Sequence, residues 1–289
     1  MRNNKWFDTA NYSFLTLYGL FCFLPILLVL IVSITDEAVI AKDGYSFFPA
    51  KFSLEAYRLV FAGNGQLLNS YAVSIAVTAI GTMAAVLITA MAAFTLANKQ
   101  VKYRGRIALF FFVTMVVNTG LVPWYMMSDT LGLRDNLLAL IIPGLIFNPF
   151  NLFLVRNFMN GLPDALMESA KIDGAGELLI AFRIYFPLSL PVLATVALFY
   201  GLAYWNNWFN AIMLVNQESL YPLQYLLFKL NSELNMLSQM TAMAGGSLQP
   251  PTESFKMAVA IVTIGPIVFL YPFLQRFFIK GLVVGSVKG

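Results

Sequence analysis

The chain predicts an all-α integral membrane protein with six transmembrane helices and both termini on the inner side, on three observations. Hydrophobic residues fill 59% of its 289 positions and charged residues only 11%, with a mean hydropathy of +0.74, where soluble domains carry about a quarter charged residues. Six runs of spanning length contain no Asp, Glu, Lys or Arg. Lysine and arginine are distributed unevenly between the loops that these runs define.

The runs are Ser13–Ser33, Tyr71–Ala97, Ile107–Met127, Leu137–Val155, Leu188–Leu214 and Met257–Gln275. Each approaches the ~20 apolar residues that a helix needs to cross a ~30 Å hydrocarbon core. All formal charges lie between or beyond them, as expected when a central charge costs about 2.5–3.5 kcal/mol on insertion scales. With the N-terminus inside, 12 of the 18 basic residues fall on the inner side, among them Lys99, Lys102, Arg104, Arg106, Arg156, Lys171 and Arg183. The positive-inside rule then sets the orientation. The first run is too long for a signal-peptide core, and no small-residue cleavage site follows it. The reading divides the chain into residues 1–70 (N-terminal tail, first span and an extracytoplasmic segment) and 71–289 (five spans with an inner loop at about residues 157–187).

Composition also excludes chemistry. The chain has no histidine and a single cysteine, Cys22, so an intrachain disulfide, imidazole metal ligation and Cys–His or Ser–His catalysis are all ruled out. The net charge of +4 is scattered at run ends rather than clustered, which argues against nucleic acid. The glycine-bearing tail Gly281–Gly289 spaces its glycines wrongly for a phosphate loop and places Lys288 too late. No internal repeat and no charge at depth support an ion-coupled carrier, and a membrane scaffold would account for the hydropathy alone.

The polar stretch Met159–Pro187 interrupts the apolar runs. Pro163 and Asp164 suit a helix start, and Gly174 and Gly176 suit its end. A second short helix, Leu178–Tyr185, is expected before Pro187 and Pro191 turn the chain into the fifth run. Within this stretch Glu168-Ser169-Ala170, three residues to Gly174, and nine more to Ile184-Tyr185-Phe186-Pro187 form a spaced pattern. It resembles the EAA motif of the membrane subunits of binding-protein-dependent ABC importers, with Ser169 and Phe186 as the two departures. Lys171-Ile172-Asp173-Gly174-Ala175 and Trp205-Asn206-Asn207-Trp208 resemble the variant found in sugar importers of this class, while Tyr221-Pro222-Leu223-Gln224 and the ending Tyr271-Pro272-Phe273-Leu274-Gln275, with Lys280-Gly281 and Gly285-Ser286-Val287-Lys288-Gly289 after it, resemble the branch that handles complex oligosaccharides and polysaccharide fragments.

That resemblance implies a type I ABC importer permease fold, and a coupling helix in which Glu168, Ser169, Ala170, Asp173, Gly174 and Pro187 serve a separate ATPase. It implies no cofactor in this chain, with ATP and magnesium bound by the partner. The implied complex holds two ATPase subunits, a homologous second permease and an extracytoplasmic solute-binding protein, in the bacterial plasma membrane. Polar and aromatic residues inside the runs usually face a cavity or a neighbouring helix. On that ground Asn118, Asn148, Asn151, Tyr204, Trp205, Asn207 and Trp208 are candidates for a carbohydrate pathway.

Overall fold

Proline removes a ladder donor and glycine weakens a helix, and this chain places one or the other inside each of its apolar runs. The computed structural model describes residues 5–62, 65–117, 119–243 and 252–264. Among them it is all-α, with one isolated bridge between Thr35 and Phe52. Helix α1 spans Lys5–Ser33 and contains Pro25. Helix α2, Glu37–Asp43, is opened by the Asp36 carboxylate accepting from the Ala38 amide at 3.1 Å and closed by Gly44 at φ +74°. Helix α3 is Glu55–Phe61, and α4, Gln66–Ala97, runs 32 residues without a proline.

Beyond α4 the elements shorten. Helices α5 (Arg104–Val116), α6 (Leu121–Thr130), α7 (Leu138–Ile141), α8 (Pro149–Asn160), α9 (Ala165–Ile172) and α10 (Glu177–Ile180) follow in order. A π-turn, Ala181–Tyr185, leads into α11 (Phe186–Leu188) and α12 (Leu190–Trp205). Helix α13 (Phe209–Leu214), a 3₁₀ turn (Glu218–Leu220), α14 (Leu223–Met243) and a helix over residues 253–264 complete the described chain.

The six-span expectation is overturned. Among the described residues two helices are long and apolar enough to cross a membrane, Asn11–Ser33 and Gln66–Ala97. The number rises to four if Arg104–Val116 with Leu121–Thr130, and Glu177–Leu188 with Leu190–Trp205, each count as one bent span. Hydropathy registers apolar length and ignores breaks in the backbone ladder. The run Leu137–Val155 is two helices, because Pro143 lacks a donor, Gly144 takes φ +74° and Pro149 opens α8. The run Leu188–Leu214 stops at Asn206 and resumes at Phe209. The run Met257–Gln275 extends past residue 264, beyond which it lies outside the described residues.

The chain divides into two compact units. The first comprises Met1–Leu67 and Leu227–Ile267. In it Lys51 pairs with Asp36 at 2.6 Å, which holds the Asp36 carboxyl below the usual carboxylate range. The Ser33 and Tyr57 hydroxyls meet at 2.9 Å. The Glu37 carboxylate accepts from the Glu253 amide (2.9 Å), the Ser254 amide (3.0 Å) and the Ser254 hydroxyl (2.8 Å). It supplies from a distant segment the cap that the helix over residues 253–264 lacks locally. Glu253 in turn takes 2.7 and 2.6 Å bonds from Lys256 and Tyr45, lowering its own pKa and pushing the Tyr45 phenol up to about 12.

The second unit comprises Leu68–Leu226 and Val268–Gly289, the latter outside the described residues. Its core runs from Val77, Ala85, Ala90 and Ala93 of α4 through Leu152 and Val155 of α8 to Val196 and Tyr200 of α12. Small residues let α4 approach closely. A Cβ on Gly81 would lie 2.6 Å from the Tyr204 ring, and that ring is buried and hydrogen-bonded, so it has nowhere to go.

Replacing Glu37 by alanine strips four donors of their acceptor, the three above and the Thr252 hydroxyl at 3.4 Å. We expect a cost of about 1–2 kcal/mol, read as a lower thermal midpoint of the detergent-solubilised protein. An unchanged midpoint rejects the capping role.

Candidate functional site

Two regions of the second unit carry the residues singled out from sequence. The first is α9 and its flanks. Asp164 precedes the helix, Ser169 turns its hydroxyl back to the Ala165 carbonyl at 2.6 Å, and Met167 and Ala170 face inward. Glu168, Ser169, Ile172 and Asp173 are exposed, Ile172 by 86%. Gly174 ends the helix at φ +80°, with its amide on the Lys171 carbonyl (3.0 Å) and the Ala175 amide on that of Ala170 (2.9 Å). This is the left-handed stop that glycine adopts without steric penalty. Nothing lies within 4 Å of where a Gly174 Cβ would be, so the position is open as well as turned.

The expected second helix differs in kind. Residues 181–185 form a π-turn, in which the Phe186 amide reaches the Ala181 carbonyl. Pro187 has no N–H to continue the ladder, and neither does Pro191. Between them the chain bends by 83° at Ser189 before α12. Pro187 is thus the start of an elbow rather than a simple tilt.

The second region is an open cleft of about 460 Å³ lined by Thr119, Gly120, Trp124, Gly144, Asn207 and Asn210, among others. Trp124 and Phe209 stack obliquely across it at 5.4 Å. The lining holds no charged side chain. Asn207 accepts from the Asn210 amide at 3.2 Å, and its Nδ2 is a buried donor with no hydrogen-bond partner among the described residues.

The sequence candidates do not all converge on this cleft. Asn207 lines it. Asn118 lies outside the described residues. The Asn148 carboxamide caps α8, accepting from the Phe150 amide at 2.9 Å and, at 3.4 Å, from that of Asn151. Asn151, Tyr204 and Trp205 are buried, each 5% exposed or less. Trp208 is half-exposed, edge-on to Phe209 at 6.2 Å.

Several of these groups repair the backbone break between α7 and α8. The Tyr204 hydroxyl donates to the Ile141 carbonyl at 3.0 Å, and Asn210 Nδ2 to the Pro143 carbonyl at 2.9 Å. Tyr200, a residue that the sequence did not single out, accepts the Asn148 amide at 2.9 Å and meets the Thr89 hydroxyl at 2.8 Å. No local pattern marks Tyr200, since its partners lie 52 and 111 residues away.

Residues 85–284 match the family described as "Binding-protein-dependent transport system inner membrane component". The chain is 40% identical over 286 residues to "Protein LplC" of Bacillus subtilis (strain 168), covering 98% of this chain and 95% of that one. It is 39% identical over 287 residues to the polygalacturonan/rhamnogalacturonan transport system permease protein YtcP of the same organism, covering 99% of each. Among solved structures it is similar to a bacterial ABC transporter involved in the import of the acidic polysaccharide alginate. That match has a TM-score of 0.78 and 28% identity, over 96% of this chain and 98% of that one.

Tyr200→Phe removes the acceptor of the Asn148 amide and the partner of Thr89. A buried donor left unpaired costs about 1–3 kcal/mol, so the variant should unfold at a lower temperature in detergent than its parent. Equal midpoints would show that water or a shifted side chain replaces the hydroxyl.

Proposed function

The chain belongs to the family of binding-protein-dependent transport system inner membrane components, and from that premise we propose that it is one of two homologous permease subunits importing oligosaccharides or polysaccharide fragments. It is the permease component of an ABC import complex that also comprises a binding protein and an ATPase, and ATP is hydrolysed by that separate subunit. The finer assignment is a heterodimeric permease with two ATPase subunits in the bacterial plasma membrane. No observation favours a membrane scaffold.

The observation that carries the mechanism is the exposed face of α9. A helix held from behind by Met167 and Ala170, yet presenting Glu168, Ser169, Ile172 and Asp173 outward, is built to be covered. Gly174 turns the chain immediately after it. In this reading the face seats in the ATPase, Glu168 meets a basic group there, and the small Ser169 keeps the approach close. Closure of the ATPase pair moves α9, and the movement passes to the helices packed behind it.

The carbohydrate assignment draws support from two sides. Two of the proteins named above are described by their cargo, one as a polygalacturonan/rhamnogalacturonan transport permease and one as involved in alginate import, and a further relative, from Halalkalibacterium halodurans, is described as an arabinooligosaccharides transport permease at 27% identity. The cleft offers an amide donor at Asn207 and the rings of Trp124 and Phe209. Sugars use such groups through their hydroxyls and C–H faces. Among the described residues the lining has no cation, and in this reading the acidic groups of a uronic chain are selected by the binding protein or the second permease.

Reconstitution with the ATPase and binding protein tests both parts. Glu168→Lys and Gly174→Asp should insert normally while abolishing binding-protein-stimulated uptake. The Gly174 change strains the chain by only about 1–2 kcal/mol through its positive φ, because no neighbour is displaced. Uptake at parental rates in either variant would remove α9 from coupling. Asn207→Ala should slow uptake of a neutral oligosaccharide by about tenfold, as expected for one lost hydrogen bond in a desolvated site. Identical uptake would take Asn207 out of the pathway.

A further inference from the structure

The loop after α4 and the segment around α9 are joined by a closed polar ring. Asn98, at the end of α4, is 5% exposed. Its Oδ1 accepts the Gln100 amide at 2.9 Å, and its Nδ2 donates to Glu177 Oε2 at 3.2 Å. The other Glu177 oxygen pairs with Lys171 Nζ at 2.6 Å, and the same ammonium donates to Gln100 Oε1 at 2.5 Å. The circuit therefore runs Asn98, Glu177, Lys171, Gln100 and back to Asn98. Lys99 adds an ion pair with Asp164 at the other end of α9.

The members differ in weight. Lys99 and Asp164 are each more than half exposed, and such pairs contribute little in water. Asn98 is buried, and a charge-assisted bond from a buried amide is both stronger and costlier to break. Beside the ring, Phe94 of α4 packs edge-on against Tyr185 of the π-turn at 5.1 Å. Arg156 of α8 donates through Nε to the Leu96 carbonyl at 3.3 Å. Farther along, α4 meets α12 at Gly81 against Tyr204 and at Thr89 with Tyr200.

We propose that the Asn98–Glu177–Lys171–Gln100 ring is a transmission joint: it stays closed through the transport cycle and delivers the displacement of α9 directly to α4. This proposal rests on the reading that α9 docks on the ATPase. The elbow at Ser189 is bent, carries a π-turn on one side and lacks ladder bonds at both prolines, so it yields when pushed. A straight helix fastened at its end does not. With the ring closed, α4 and α12 receive the push together. With the ring open, α9 moves against a compliant elbow and the spans lag behind it. Asn98, Gln100 and Glu177 are thus positioning residues, and none needs to touch the ATPase or the cargo.

The test uses the complete transporter in proteoliposomes with Cys22→Ser as parent. The double variant Asn98→Cys with Glu177→Cys should retain the ATPase on purification and hydrolyse ATP, but transport about tenfold less cargo per ATP. A short bis-methanethiosulfonate crosslinker, on which each cysteine thiolate displaces methanesulfinate to form a mixed disulfide, should then restore the parental ratio, because it closes the joint covalently. Lys171→Gln, which keeps the stem and removes the charge, should lower the same ratio without loss of the ATPase. Unchanged transport per ATP in both variants, crosslinking that blocks transport, or failure of the two thiols to crosslink in the assembled complex would each overturn the proposal. A parent that neither retains the ATPase nor responds to the binding protein would instead defeat the functional reading itself.

Discussion

A chain this apolar has little water to fall back on wherever its helices break, and that constraint organises the second unit. Backbone donors and acceptors freed in a hydrocarbon environment must be met by protein groups. The break between α7 and α8 frees carbonyls at Ile141 and Pro143 and an amide at Asn148. They are met by Tyr204, Asn210 and Tyr200 respectively, all from α12 and α13. Asn148 supplies the remaining cap for α8 from its own side chain. Three side chains of α12 and α13 therefore hold a broken element together. The α12–α13 region is fixed to α7 and α8 by the same bonds that make the break tolerable.

This arrangement changes how the polar cluster reads. Asn and Tyr inside an apolar run signal either a lined cavity or a backbone in need of partners, and the two have the same composition. Here they divide. Tyr204 and Asn210 point their polar atoms at carbonyls, and the Asn210 residue also borders the cleft. Asn207 keeps a donor with no partner among the described residues. A buried unpaired donor beside a cleft is a cost that packing alone does not explain.

The same physics decides what was legible in the sequence. The α9 segment was readable because its signals are local: a proline and an acid at the start, small residues, then Gly174, whose φ of +80° matches the stop that glycine in that position predicts. The span count was not readable, because hydropathy averages over Pro143-Gly144, Asn148-Pro149 and the Ser189 elbow, where the ladder is cut. The long-range partners were invisible for a different reason. Tyr200 and Asn148 are 52 residues apart, Tyr204 and Ile141 63, Asn98 and Glu177 79. No periodicity connects them, and each is recognisable only once the helices are placed. The π-turn before Pro187 follows from the missing proline donor, yet nothing in the spacing says whether the chain will widen, kink or stop there.

Stiff and compliant parts alternate along the route from α9 inward. Helix α9 is short and exposed, the π-turn and elbow are poor in ladder bonds, and α4 is long, unbroken and closely packed at Gly81. In the proposed coupling reading, a force entering at α9 would divide between two routes according to their stiffness, and the route with fewer broken hydrogen bonds would carry more of it. The buried end of that route is Asn98. An asparagine there looks wasteful at the end of an apolar helix, since a buried amide must find partners for both its oxygen and its nitrogen. It finds one within its own loop and one on Glu177, and that second bond ties the end of the long helix to the segment after α9. The polar residue is tolerated in the interior because both its oxygen and its nitrogen have a partner.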